Sequence, residues 1–216
     1  MAARSIAASA CLRAYRALGA GYLTLTHSRN LEWADSATDD PRHDGLTEFG
    51  ESVVLELNRL GMLVDLSHVS EATMLDALRV SKAPVMFSHS SARALDDHPR
   101  NVSDAVLKQV AANGGVVMVN FAPIYISDAF RRWSSDHDAE KARLNAPPYW
   151  RALTSASPRK RPLHWLEWEN ARIRSPSVTL AMVADHIEHI AKVAGVDHVG
   201  IGSVSTGREG LARRPE

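Results

Sequence analysis

The sequence predicts an α/β protein of about five strand–helix units, a partial TIM (β/α)8 barrel. Three observations carry that prediction. Short apolar runs alternate with amphipathic stretches in the order β, α, β, α, β, α, β, insertion, α, β, and such alternation gives a parallel sheet joined by right-handed crossovers. The stretch from Gly61 to Ser91 reads strand, helix, strand, and each strand ends in a histidine, His68 and His89. The chain has 216 residues, one domain or part of one, whereas a complete eight-stranded barrel takes about 250. A parallel sheet of this kind is expected to be covered on both faces. The alternative is an open doubly wound sheet, although the Gly-rich first turn of its dinucleotide-binding version is absent.

Taken in order, residues 9–19 suit a helix stopped by Gly19 and Gly21. Tyr22 to Thr26 (YLTLT) alternates and is rich in β-formers, so it reads as a strand ending at His27. Residues 28–47 are polar and turn-rich, a loop. A helix over 48–60 puts Phe49, Val53, Leu57 and Leu60 on one face, with Gly61 as its stop. In the central unit, Met62 to Leu66 and Pro84 to Phe87 are strands. Ser70 caps the helix between them, with Val69 and Met74 spaced as a hydrophobic staple. Residues 92–101 form a loop beyond His89, and Ser103 caps a helix ending at Asn113-Gly114-Gly115. Val116 to Phe121 is a strand. Residues 122–176 are long, polar and Pro-spotted and hold Trp133, Trp150, Trp165 and Trp168; they read as a partly helical insertion with a small satellite core. A helix over 177–194 and a strand over 198–202 follow, and 203–216 has no pattern. The whole is one domain, 1–216.

Composition narrows the function. With 45% apolar and 23% charged residues this is an ordinary globular chain. Lys+Arg and Asp+Glu balance at 25 each, which argues against non-specific nucleic-acid binding. Cys11 is the single cysteine, so no internal disulfide forms. No run approaches a transmembrane span. The first residues mimic a secretory signal, but Arg13 and Arg16 interrupt any apolar core.

Ten histidines stand out. The C-terminal ends of adjacent parallel strands share one mouth, where ligands and metals sit. Neutral imidazole is a common metal ligand and suits zinc, so His68 and His89 are either two ligands of one metal or two loop histidines with satisfied hydrogen bonds. His27, on a third strand end, either polarises a carbonyl or is a buried histidine bonded to the backbone. Arg100, in the loop beyond His89, either takes a substrate carboxylate bidentately or is a solvated loop arginine. Asp65 either supports a metal ligand from behind or pairs with a neighbour. His186 and His189, three apart on a helix, form a metal pair or, the favoured reading, a solvated face.

Several of these stretches together resemble one family. The motifs are Tyr22-Leu-Thr-Leu-Thr-His27, Leu57-Asn-Arg-Leu-Gly-Met-Leu-Val-Asp-Leu-Ser-His68-Val-Ser, Ala83-Pro-Val-Met-Phe-Ser-His89-Ser-Ser-Ala92, Arg100-Asn-Val and Val117-Met-Val-Asn-Phe121. They resemble the membrane dipeptidase (renal dipeptidase, peptidase family M19), in the wording of a bacterial member, over nearly the whole chain up to Gly202. The resemblance implies a metal-dependent hydrolase on a (β/α)8 barrel that cleaves small dipeptides, usually with two zinc ions acting as Lewis acid and as generator of the nucleophile. It implies that His68 and His89 bind one zinc, that His27 contacts the scissile group and stabilises the tetrahedral intermediate, and that Arg100 lies near the substrate carboxylate. A homodimer is compatible with it.

The departures are equally specific. The family's first strand carries a His-x-Asp pair for the other metal, and a glutamate bridging both metals precedes the YLTLTH strand; neither is present. The family's last strand ends Gly-Asp-Phe-Asp-Gly, the first Asp being the proton-transfer acid. Here Gly202-Ser-Val204-Ser-Thr-Gly207 puts valine in that place, and valine moves no proton. The expectation is a chain truncated at both ends, with a reading-frame slip or wrong gene boundary behind the 203–216 tail, since Phe-Asp-Gly codons read one base on can give Ser-Thr-Gly. Such a fragment holds at most one zinc, weakly, and is inactive alone. The alternative is a non-catalytic peptide-binding or degenerate protein.

Overall fold

The computed structural model describes residues 2–145 and 175–202. Five strands form one parallel sheet: β1 (Tyr22–Thr24), β2 (Leu63–Asp65), β3 (Met86–Phe87), β4 (Val116–Val119) and β5 (Val199–Ile201). Their spatial order is their chain order, β1-β2-β3-β4-β5. Register is set by Tyr22 opposite Leu63, Asp65 opposite Met86, Phe87 opposite Val117 and Met118 opposite Gly200.

The helices are α1 (Ala2–Ala17), α2 (Glu48–Arg59), α3 (Glu71–Val80), α4 (Asp104–Asn113), α5 (Asp128–Asn145) and α6 (Leu180–Ala194), with short 3-10 turns at Pro123–Tyr125 and Val196–His198. α1 lies against α2, α2 against α3, α3 against α4 and α4 against α6. Right-handed crossovers between strands in simple sequential order place the connecting helices α2, α3, α4 and α6 on the same side. A doubly wound sheet needs a reversal of strand order to cover its second face, so that alternative is excluded. The expectation of two covered faces is corrected: the helices cover one face, and the other corresponds to a barrel interior.

The core lies between that helical layer and the sheet. Val64, Phe87, Val117 and Val119 point to it from the strands and meet Val54, Leu57, Met74, Leu107, Val110 and Ile190. On the opposite face the cross-strand neighbours Tyr22 and Leu63 are 52% and 45% exposed.

Local signals set the element ends. Ser70 Oγ accepts the N–H of Thr73, and Ser103 Oγ that of Val106, each satisfying a donor the first helical turn leaves open. Thr47 does the same for α2 through Gly50. Gly114 ends α4 at φ 76°, a left-handed conformation that costs a side-chain-bearing residue energy. The strands are shorter than the apolar runs that announce them: Tyr22 to Thr26 is extended only to Thr24, and the 116–121 run only to Val119. α1 starts at Ala2 rather than at residue 9. In the expected insertion, α5 carries Phe130, Trp133 and His137 with their rings in contact. Trp150, Trp165 and Trp168, like the 203–216 tail, lie outside the described residues.

Candidate functional site

Three strand ends bring three histidines together. His27 follows β1, His68 follows β2 and His89 follows β3. The Nε2 atoms of His68 and His89 are 2.9 Å apart, and the ring centroids of His27 and His68 are 4.3 Å apart. His68 is buried, His89 half-buried and His27 exposed. His27 is therefore not the buried, backbone-bonded residue of its alternative reading; its Nδ1 lies 3.1 Å from Ser28 Oγ. Burial, then the nearby Arg100 charge, pushes the His68 pKa down to about 3. Burial and Arg100 also lower that of His89. Both rings are thus held neutral at pH 7, the form in which imidazole donates to a metal.

Asp65 sits behind the pair at the barrel-interior side of β2, fully buried. Its Oδ1 accepts from Ser67 N (3.1 Å), Ser67 Oγ (2.7 Å) and Ser88 N (3.0 Å), and its Oδ2 from Thr24 Oγ1 (2.7 Å) and Ser88 Oγ (2.6 Å). Burial opposes the charge, but these donors, with Ser88 foremost, outweigh it and hold the pKa below the ordinary carboxylate value. Ser88 Oγ also lies 2.7 Å from His89 Nδ1, and His89 N donates to Ser67 Oγ at 3.0 Å. Gly202, at the end of β5, closes on the same place: a Cβ there would stand 2.4 Å from the Ser88 carbonyl oxygen.

Arg100 is buried, not the solvated loop residue of its alternative reading. Its Nε donates to Ser67 O (3.0 Å), Nη2 to His89 O (3.3 Å) and Nη1 to Tyr125 Oη (2.6 Å), and the guanidinium lies 4.5 Å from the Tyr125 ring centroid. No carboxylate forms an ion pair with it among the described residues. His98 packs edge-on against Tyr125 and accepts the Arg100 N–H at Nδ1. Burial, then the charge of Arg100, pushes the His98 pKa down to about 4. A buried cation beside two neutral imidazoles makes a place for an anion.

His186 and His189 do not form a metal pair, and His186 is not on a solvated face. It is 1% exposed, accepts Ala92 N–H at Nδ1 (3.0 Å) and faces Ile126 O through Nε2 (3.1 Å). It ties α6 to the loop bearing Arg100 and to the turn bearing Tyr125. His189 pairs with Asp104. Its neighbours Ile187 and Ile190 mark an apolar face, and the helix turns enough for His186 to share it. Tyr125, His98 and Ser88 were not singled out from sequence. Only the hydroxyl of Ser88, adjacent to a candidate ligand, was a usable signal there.

Metal fit can be judged from the donors. Two neutral imidazoles converge through Nε2, with hydroxyl and carboxylate support behind one of them, as metal-binding histidines require. No group of three or more His, Cys, Asp and Glu suited to a metal occurs among the described residues. The residues present therefore fit part of a metal's coordination, not a closed site.

A parallel half-barrel with histidines at its C-terminal mouth defines a class, the barrel-type metal-dependent hydrolases. Within that class the family model for membrane dipeptidase (peptidase family M19) matches residues 2–213, and the chain belongs to that family. It is 40% identical over 196 residues to the dipeptidase tcpJ of Claviceps purpurea, covering 90% of this chain and 36% of that protein. Among solved structures it is similar to the probable dipeptidase PvdM from Pseudomonas aeruginosa, with TM-score 0.71 and 30% identity over 90% of this chain and 53% of that one. It is also similar to a metallopeptidase from Rhodobacter sphaeroides liganded with a phosphinate mimic of the dipeptide L-Ala-D-Ala, with TM-score 0.63 and 26% identity over 89% of this chain and 44% of that one. The chain thus spans little more than a third of that curated relative and about half of these solved chains.

Proposed function

We propose that this chain carries one part of a zinc-dependent dipeptidase site. His68 and His89 hold one zinc, Arg100 takes the C-terminal carboxylate of the dipeptide, and His27 faces the scissile carbonyl. The observation that carries this reading is the 2.9 Å approach of two neutral Nε2 atoms beside a buried guanidinium that has no carboxylate partner among the described residues. A cation held by two carbonyls and a phenol keeps its charge available, and a carboxylate ligand would complete it. A metal bound there supplies Lewis acidity to the peptide carbonyl. The exposed His27 ring, tilted against that of His68, then offers an N–H to the oxygen that gains charge. The dipeptide assignment is supported by the dipeptide mimic in the similar metallopeptidase.

Two imidazoles are too few for a tight or catalytic zinc, so the isolated chain binds zinc weakly and turns over no dipeptide. The lack of a three-ligand cluster among the described residues also favours a second reading, a dipeptide-binding protein without catalysis. Calorimetry with L-Ala-D-Ala, with and without zinc, separates the two, alongside a hydrolysis assay. The dipeptidase-site reading expects binding that zinc strengthens and that H68A and H89A reduce to the zinc-free level. The binding-protein reading expects binding indifferent to zinc and to both variants. Sustained hydrolysis by this chain would overturn the claim of inactivity.

A further inference from the structure

The hydroxyl of Ser88 has one proton, and where it goes decides which nitrogen of His89 is free. Ser88 Oγ lies 2.6 Å from Asp65 Oδ2, and Ser67 Oγ lies 2.7 Å from Asp65 Oδ1. Each hydroxyl donates to the carboxylate, which already accepts two backbone N–H groups and the Thr24 hydroxyl. A carboxylate ringed by five donors acts as an acceptor only. With its proton committed, Ser88 Oγ has only lone pairs left for His89 Nδ1, 2.7 Å away. The proton in that contact therefore belongs to Nδ1. A neutral His89 protonated at Nδ1 has its lone pair at Nε2, the atom 2.9 Å from His68 Nε2.

We propose that Asp65 is a positioning residue which, through Ser88, fixes His89 as the Nδ1–H tautomer and so presents Nε2 as a ready donor to a metal. The consequence for metal binding rests on the zinc site proposed above; the tautomer itself does not. Ser67 belongs to the same device, since it spends its proton on Asp65 and accepts the His89 backbone N–H, fixing the ring's origin as well as its proton. The opposite arrangement, a protonated Asp65 donating to Ser88 and Ser88 donating to Nδ1, would leave Nε2 protonated and closed to a metal.

The test is solid-state 15N spectroscopy of the full chain with labelled histidine near neutral pH, which tolerates an associated sample, with H89Q identifying the His89 signals. The proposal expects a neutral Nδ1–H tautomer at His89, a mixture or the Nε2–H form in S88A, and the original tautomer again in S88T, which restores the hydroxyl. Zinc affinity measured on the same proteins is expected to fall by about 10- to 100-fold in S88A, the usual effect of removing a ligand's supporting partner, and to recover in S88T. D65N is expected to shift the tautomer as S88A does; if D65N fails to fold, S88A and S88T still decide. An Nε2–H tautomer in the unmodified chain overturns the proposal, as does S88A leaving both tautomer and zinc affinity unchanged. The expected tautomers without any zinc binding would uphold the Asp65 device and overturn the zinc site instead.

Discussion

Arg100 is 6% exposed, and every nitrogen of its guanidinium has a partner in the loops around the histidines. Lysine cannot reproduce that fork. We expect R100K to lower the affinity for L-Ala-D-Ala by at least about tenfold, the scale of one charge-assisted hydrogen bond, with little change in zinc binding; equal affinity would argue that the carboxylate binds elsewhere. Asp35 illustrates a purely structural carboxylate. It is buried and accepts the N–H groups of Arg42, His43 and Gly45. Burial works against its charge, yet these donors hold its pKa below the ordinary carboxylate value. A lowered folded pKa gives stability that is present above the unfolded value and lost as pH falls through the folded one. D35N is therefore expected to cost roughly 1–3 kcal/mol at pH 7, a deficit that shrinks below about pH 4. Chemical denaturation at both pH values measures it. At this scale the histidines were legible because each ends an apolar run. Tyr125 was not, because it lies in a stretch whose polar, Pro-spotted composition gives no period.

Element by element, the caps were the most readable features. Ser70 and Ser103 each follow an extended residue and precede an amphipathic run, and both make the expected bond. S70A is expected to cost about 1 kcal/mol, and because α3 joins the strands that bear His68 and His89, the loss should appear as a lower Tm of the whole sheet. A Tm unchanged within error would mean that α3 is capped by other contacts. Strand length was overestimated because apolar residues continue past the last paired one: Leu25 and Leu66 are buried in the core although they lie beyond β1 and β2. Period reports burial, while pairing depends on a neighbour that single-chain periodicity does not reveal. His186 was misplaced for a related reason. A histidine with both ring nitrogens bonded to backbone groups is as buried as a leucine, and only the fold supplies those partners.

For the whole molecule, the alternation of strands and helices was enough to predict a parallel barrel-type sheet, and the sequential strand order then fixes the connecting helices α2, α3, α4 and α6 on one face. What the alternation did not reveal is how much of the other face stays open. Tyr22 and Leu63 are exposed there, and β1 and β5 are the two sheet edges among the described residues. Unpaired edges invite association, so the purified chain is expected to elute as an oligomer or to precipitate; a sharp monomer peak with cooperative melting would contradict this. A zinc titration of this chain beside H68A and H89A probes the paired imidazoles themselves. One weakly bound zinc per chain is expected, lost in either variant. Zinc binding that survives both substitutions, or none in the unmodified folded chain, would contradict it.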